Sequence, residues 1–137
     1  MPICEALTTF SPTRILVVDD SAIMRRALRA LLEGHDHWKV CDEAANGREA
    51  VEKAEQTSPD VIILDFQMPG MNGLDAAKEI KQHSPRIPIL MVTMHMSHQL
   101  AIEAQNIGID GMCSKSEMGS VVQAVETLLN NGIYFRN

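Results

Sequence analysis

The chain has 137 residues, of which 45% are hydrophobic and 22% charged, enough apolar material to bury the core of one ordinary domain. Its formal net charge of −6 argues against direct binding to nucleic acid or to an anionic membrane. No apolar stretch approaches the roughly 20 residues of a membrane helix. Three widely spaced cysteines without a C-x-x-C pair indicate a reducing compartment. We expect a cytoplasmic protein with a flexible leader, residues 1–13, before one domain at 14–137.

Five short apolar segments recur along the chain and predict strands. The first, third and fourth are continuous runs rich in valine, isoleucine and leucine, as is typical of strands buried on both faces of a parallel sheet. The predicted strands cover residues 15–18, 38–44, 61–64, 88–92 and 111–114.

An amphipathic stretch follows each predicted strand. After Ser21, a candidate N-cap, apolar residues recur with helical spacing as far as Gly34, which can end the helix. The other helices are predicted at about 48–55, 74–83, 97–106 and 118–131. This alternation favours an α/β fold, a three-layer (βα)5 domain with a doubly wound five-stranded parallel sheet.

Polar side chains stand where four of the predicted strands end. Asp19 and Asp20 follow the first strand, Asp65 the third, Thr93 the fourth and Lys115 the fifth. The carboxyl ends of parallel strands share one edge, where such sheets bind their ligands, so we expect these side chains to converge. Three clustered carboxylates are costly unless a cation or protons offset their repulsion, and hard oxygen ligands suit Mg²⁺ (or Mn²⁺). A metal, an ammonium and a hydroxyl fit a phosphoryl group, with one carboxylate as nucleophile.

The stretches ILVVDDS, PDVIILDFQMPGMNGLDAAKEIK, PILMVT and GMCSKS give the sequence a clear resemblance to the receiver domain of two-component response regulators. The resemblance extends from about residue 14 to the C-terminus. It implies a flavodoxin-like sheet of order 2-1-3-4-5. It also implies a phosphoryl group received from a sensor histidine kinase or a phosphotransfer protein, and a signalling domain rather than an enzyme.

The resemblance assigns roles at the strand ends. Asp65 would be the phosphoacceptor. Asp19 and Asp20 would hold Mg²⁺, Asp20 more directly, and Asp65 with the backbone carbonyl of Gln67 would complete the protein ligands. Lys115 would pair with Asp65 before phosphorylation and with the phosphoryl group afterwards.

Further roles concern the response to phosphorylation. Thr93 would donate a hydrogen bond to the phosphoryl oxygen and move toward it, and backbone N–H groups near Gln67 and Met94 would be further donors. Gln67 and His95, each two residues beyond Asp65 and Thr93, are expected to control water access and hence the lifetime of the acyl phosphate.

Two positions depart from the family pattern. Met112 stands where an aromatic residue is frequent, so an aromatic rotamer switch is excluded, although a flexible methionine can repack. Ser116 stands where the family often has a proline after a cis peptide bond. A cis bond without proline costs about 2.5–4 kcal/mol, so we expect either a trans bond or a strained loop after Lys115.

Two other functions compete with the receiver. Phosphatases of the haloacid dehalogenase type also use an aspartate nucleophile and Mg²⁺, but their nucleophile follows the first strand in a D-x-D motif, whereas this chain has D-D-S. Flavin binding on a flavodoxin-like sheet would place an anionic phosphate beside the acidic pair, which opposes it.

The output is left open by the sequence. The stretch VETLLNNGIYFRN resembles the end of receivers in regulators of the helix-turn-helix DNA-binding class. The chain is then either a stand-alone regulator acting on a downstream protein or the receiver of a longer regulator with a C-terminal effector domain. A homodimer through the fourth helix, fifth strand and fifth helix is a further expectation, with no nucleic acid bound by this chain itself.

Overall fold

The computed structural model of the protein describes residues 11–135. Most of the predicted leader, including Cys4, lies outside the described residues. The first strand already begins at Thr13, one residue before the predicted domain boundary. Of the other two cysteines, Cys113 is buried and Cys41 partly buried, and no disulfide joins them.

A single parallel sheet forms the centre of the domain, with strand order β2-β1-β3-β4-β5-β6. The order predicted for the first five strands is confirmed, as is the doubly wound α/β class. The strands are β1 (Thr13–Val18), β2 (Trp38–Ala44), β3 (Val61–Leu64), β4 (Ile89–Thr93), β5 (Gly111–Ser114) and β6 (Tyr134–Phe135).

Five helices cover the two faces of the sheet: α1 (Ala22–Glu33), α2 (Gly47–Thr57), α3 (Gly73–His83), α4 (His98–Asn106) and α5 (Ser120–Leu129). Helices α2, α3 and α4 pack on one face and α1 and α5 on the other, which gives two apolar cores and three layers. The predicted N-cap Ser21 and C-cap Gly34 of α1 are both confirmed.

The sixth strand was not predicted from the sequence. It has only two residues, Tyr134 and Phe135, too few for an alternating pattern to show. Tertiary contacts form it instead, because the N–H of Tyr134 donates to the carbonyl of Asp110 (2.9 Å) and the strand pairs with Gly111 and Met112. The predicted five-stranded sheet is therefore extended by one strand at its β5 edge.

The start of the last helix also differs from the prediction. Residues Lys115–Glu117 form a separate 3₁₀ turn, because the hydroxyl of Ser114 accepts a hydrogen bond from the N–H of Ser116 (3.1 Å). Helix α5 then begins at Ser120 rather than near Met118. No peptide bond within residues 11–135 is cis, so the bond between Lys115 and Ser116 is trans.

A row of apolar side chains runs across the sheet just below its carboxyl edge, and we name it the cross-sheet row. Its members occupy adjacent strands, are paired in register, and pack in the core beneath α2, α3 and α4. The cross-sheet row consists of Val18, Leu64, Met91, Met112 and Phe135. Met112, which replaces the frequent aromatic residue, is thus a fully buried core residue.

In the part of the chain that is described, no helix combines the length and the apolar character required to cross a membrane.

A histidine links the loop after α1 to helix α5. The ring of His35 stacks on Trp38 with centroids 3.7 Å apart. Its Nδ1 lies 2.9 Å from the carbonyl of Asp36, and its Nε2 lies 3.0 Å from Oε2 of Glu126. The carbonyl of Asp36, followed by the carboxylate of Glu126, raises the pKa of His35. Folding therefore favours the protonated ring.

Replacing Glu126 by glutamine should make the stability of the domain less dependent on pH. Because the pKa of His35 is higher in the folded than in the unfolded protein, its protonation stabilises the fold. This stabilisation is fully present below the unfolded value of 6.5 and is lost as the pH rises through the folded value. The Tm of wild type should thus exceed that of Glu126→Gln at about pH 6, and the gap should shrink at about pH 9. Equal gaps at both pH values would contradict the His35–Glu126 ion pair.

Candidate phosphoryl-transfer site

Three carboxylates meet at the carboxyl edge of the sheet, as the sequence predicts. Asp19 and Asp20 follow β1 directly, and Asp65 follows β3 on the neighbouring strand. One carboxylate oxygen from each lies within 4.8 Å of the others. Asp19 and Asp65 are buried, whereas Asp20 is exposed to solvent. The cluster thus has two members fixed in the protein and one that faces the exterior.

Lys115 supplies the positive charge next to this cluster. Its Nζ lies 2.7 Å from Oδ2 of Asp19 and 3.3 Å from Oδ1 of Asp65. The predicted pairing with Asp65 is therefore present, but the shorter contact is to Asp19. The ammonium bridges two carboxylates that would otherwise repel each other inside the protein.

The pKa of Asp65 is raised above its ordinary range, chiefly because burial disfavours the charged carboxylate and further because of the negative charge of Asp19. Lys115 opposes this shift without cancelling it. Burial acts to lower the pKa of Lys115, but its hydrogen bonds and attraction to Asp19 and Asp65 outweigh burial and raise that pKa. Burial and the neighbouring Asp19 thus both disfavour the charged form of Asp65, and Lys115 offsets them only in part.

A cavity of about 600 Å³ opens above the cluster. Two carboxylates and the lysine reach it, together with residues from the loops after β3 and β4. Its lining consists of Asp20, Asp65, Phe66, Gln67, Met68, Pro69, Asn72, Met94, His95 and Lys115. The cavity thus brings together the predicted acceptor Asp65, the predicted lysine Lys115 and three of the four predicted modulating residues.

Thr93 and Met112 do not line the cavity. Thr93 is the last residue of β4 and fully buried, and its Oγ1 accepts a hydrogen bond from the N–H of His95 (3.0 Å). Met94 and His95, directly after it, are exposed. The hydroxyl is consequently oriented by the same loop that would have to move if Thr93 approached a phosphoryl group.

Two residues that help to form this site were missed in the sequence analysis. Gly73 begins α3, where an added Cβ would lie 2.2 Å from the carbonyl oxygen of Asp65. Arg25 in α1 donates a hydrogen bond to the carbonyl of Asp19 (2.7 Å). The glycine of the M-N-G motif could have indicated the first contact, whereas no spacing rule indicates the second.

These observations define a class of protein: a doubly wound α/β domain with a buried aspartate, a lysine and an acidic cluster at the carboxyl edge of its sheet. The family model of the response regulator receiver domain matches residues 15–126. The chain belongs to this family, and it is a phosphoacceptor receiver. The haloacid dehalogenase alternative is not supported, since the family model that matches most of the chain is that of the receiver domain.

Relatives of two kinds resemble the chain. Chemotaxis protein CheY of Thermotoga maritima is 38% identical over 113 residues, covering 82% of this chain and 93% of that protein. A protein-glutamate methylesterase/protein-glutamine glutaminase of Methanosarcina acetivorans is 44% identical over 116 residues. That match covers 82% of this chain and 33% of the relative, so the chain spans about a third of the methylesterase.

Among solved structures, a LuxR-family two-component response regulator from Aurantimonas sp. SI85-9A1 superposes with a TM-score of 0.87 at 34% identity, covering 90% of this chain and 89% of that one.

Proposed function

We propose that Asp65 accepts a phosphoryl group from a partner sensor histidine kinase or a histidine phosphotransfer protein. The observation that carries this proposal is the contact of Lys115 with Asp65 at the wall of an open cavity, beside two further carboxylates. An oxygen of Asp65 would attack phosphorus. A new O–P bond forms as the P–N bond to the donor imidazole breaks, and the electron pair of that bond goes to the departing nitrogen.

The residues at this edge fit a hard divalent cation. They offer carboxylate oxygens, one of them exposed, within a few ångströms of one another, which suits Mg²⁺ or Mn²⁺. Asp19, Asp20, Asp65 and the backbone carbonyl of Gln67 would hold the ion. When bound, the ion neutralises charge on the phosphoryl oxygens and on the carboxylates. It would also oppose the negative charge of Asp19, which adds to the effect of burial in raising the pKa of Asp65.

The other residues act on the phosphoryl group once it is attached. Lys115 keeps one ammonium proton for a phosphoryl oxygen while its contact with Asp19 holds it in place. Thr93 donates its hydroxyl from below the cavity, and the N–H of Met94 is a further donor. The exposed side chains of Gln67 and His95 control how water reaches the acyl phosphate.

The proposal predicts Mg²⁺-dependent phosphorylation at one residue. Wild type incubated with acetyl phosphate and MgCl₂ should gain the mass of one phosphoryl group, and the gain should vanish with a chelator or in Asp65→Asn. Intact-protein mass spectrometry measures both. Asp36→Asn, which removes an exposed carboxylate outside the cavity, is the control and should be labelled like wild type. Equal labelling of Asp65→Asn and wild type would place the acceptor elsewhere.

The phosphorylated domain would signal through protein contacts, without substrate turnover of its own. Phosphorylation biases a two-state equilibrium of the loop after Thr93, helix α4 and strand β5. The proposed dimer surface is formed by α4, β5 and α5. The output is either a downstream protein or an attached effector domain. The methylesterase and LuxR-family relatives support the attached domain, and the CheY relative supports the stand-alone form. The proposed location is the cytoplasm.

A further inference from the structure

Arg25 joins the acidic loop after β1 to the neighbouring strand β2. Its Nη1 donates to the carbonyl of Asp19 (2.7 Å), and its Nε donates to Oε1 of Glu43 (2.9 Å). The side chain is only 19% exposed. A guanidinium is planar and rigid, so two hydrogen bonds from one fork fix the position of the Asp19 backbone relative to β2.

The anchor on β2 is itself held in place. The second carboxylate oxygen of Glu43 accepts hydrogen bonds from Nε (3.0 Å) and Nη2 (2.8 Å) of Arg29, one turn further along α1. Hydrogen bonding to Arg29, followed by that to Arg25, keeps the pKa of Glu43 below its ordinary value. Glu43 is therefore an ionised acceptor that Arg25 and Arg29 both hold in place.

Every hydrogen-bonding atom of Asp19 has a partner. Its N–H donates to Ala44 (3.1 Å), Oδ1 accepts from the N–H of Ser21 (2.9 Å), and Oδ2 contacts Lys115 (2.7 Å). The carbonyl contact with Arg25 completes the set. Among these partners only Arg25 reaches Asp19 with a side chain from outside the cavity.

We propose that Arg25 is a positioning residue for the phosphoryl-transfer site. Arg25 fixes the backbone of Asp19 against β2. It thereby positions the Asp19 carboxylate next to Lys115 and determines the direction in which the Asp20 side chain enters the cavity. The affinity of the site for Mg²⁺ then depends on a residue that touches neither the cavity nor the ion. Only the part of this inference that concerns Mg²⁺ affinity rests on the proposed function.

The test compares Arg25→Met with Arg29→Met. Both variants lose one positive charge and one partner of Glu43, but only the first loses the contact with Asp19. Mutating a residue that hydrogen-bonds a metal ligand without touching the metal typically weakens metal binding by about 10–100-fold. Calorimetric titration with MgCl₂ should show an affinity at least about 10-fold weaker for Arg25→Met. The affinity of Arg29→Met should change by less than about threefold.

A second readout needs no metal. Hydrogen exchange of the Ser21 amide, whose proton is held by Asp19, should be faster than wild type in Arg25→Met and much less affected in Arg29→Met, which keeps the contact between Arg25 and Asp19. Wild-type exchange and Mg²⁺ affinity in a folded Arg25→Met would overturn the inference, as would equal losses in both variants. If wild type bound no Mg²⁺, the proposed function would fail, and the exchange comparison would still decide the role of Arg25.

Arg25→Lys covers the case in which Arg25→Met does not fold. Lysine keeps the charge and the apolar stem, but one ammonium at the end of a shorter chain cannot hold both Asp19 and Glu43 in the same geometry. Faster Ser21 exchange and several-fold weaker Mg²⁺ binding are expected here too. Wild-type values for both would overturn the inference.

Discussion

Replacing Gly73 by alanine should lower the free energy of unfolding by about 3 kcal/mol. The added Cβ would lie 2.2 Å from the carbonyl oxygen of Asp65 and 2.8 Å from Cα of Phe66. Both are backbone atoms, which cannot rotate away as a flexible side chain could. Helix α3 and the loop after β3 must therefore separate, and Asp65 moves with that loop.

Urea denaturation gives the stability change, and the phosphorylation assay gives the accompanying loss at Asp65. Gly119→Ala is the matched control, because a Cβ there meets no atom within 4 Å and the backbone is already helical, with φ −62°. The control should stay within about 0.5 kcal/mol of wild type. A Gly73→Ala protein as stable as the control would show that the loop yields without cost.

Asp20→Ala should leave the fold intact and weaken Mg²⁺ binding by at least the roughly 10–100-fold that loss of an indirect partner of a metal site costs. The side chain is exposed and lines the cavity, so its removal creates no void in the core but takes away the carboxylate that can reach a solvated ion. Phosphorylation by acetyl phosphate should be lost at Mg²⁺ concentrations that saturate wild type.

Calorimetric titration with MgCl₂ measures the affinity, and circular dichroism measures the fold. Asp75→Ala removes an exposed carboxylate of α3 that does not line the cavity, and it changes the net charge by the same amount. Its Mg²⁺ affinity should remain close to that of wild type. Normal affinity in Asp20→Ala would assign the metal to other ligands.

The parts of the fold that follow from local sequence pattern were predictable. Strands such as β3 are uninterrupted apolar runs, and helices such as α1 carry both a cap at Ser21 and a helical apolar period. The strand-end residues followed from topology alone, because parallel strands place their carboxyl ends on one edge. Asp65 and Lys115 could therefore be brought together although they lie far apart in sequence.

Features that depend on tertiary contacts were not predictable. Strand β6 is specified by pairing with β5 and not by its own two residues. The preference of Lys115 for Asp19 depends on side-chain geometry within a few ångströms. Arg25 lies on a polar face of α1, and its contact with Glu43 depends on how α1 packs beside β2, which no local pattern in the sequence specifies.

The cross-sheet row has a mechanical consequence. Val18 and Leu64 immediately precede Asp19 and Asp65, so the acidic cavity rests directly on this layer. Close-packed layers have little free volume and change between discrete arrangements rather than yielding gradually. We therefore expect a displacement of Met112 in β5 to shift its register partner Phe135 as well. The same packed layer thus connects the strand that ends just before Asp65 to the edge strand β6.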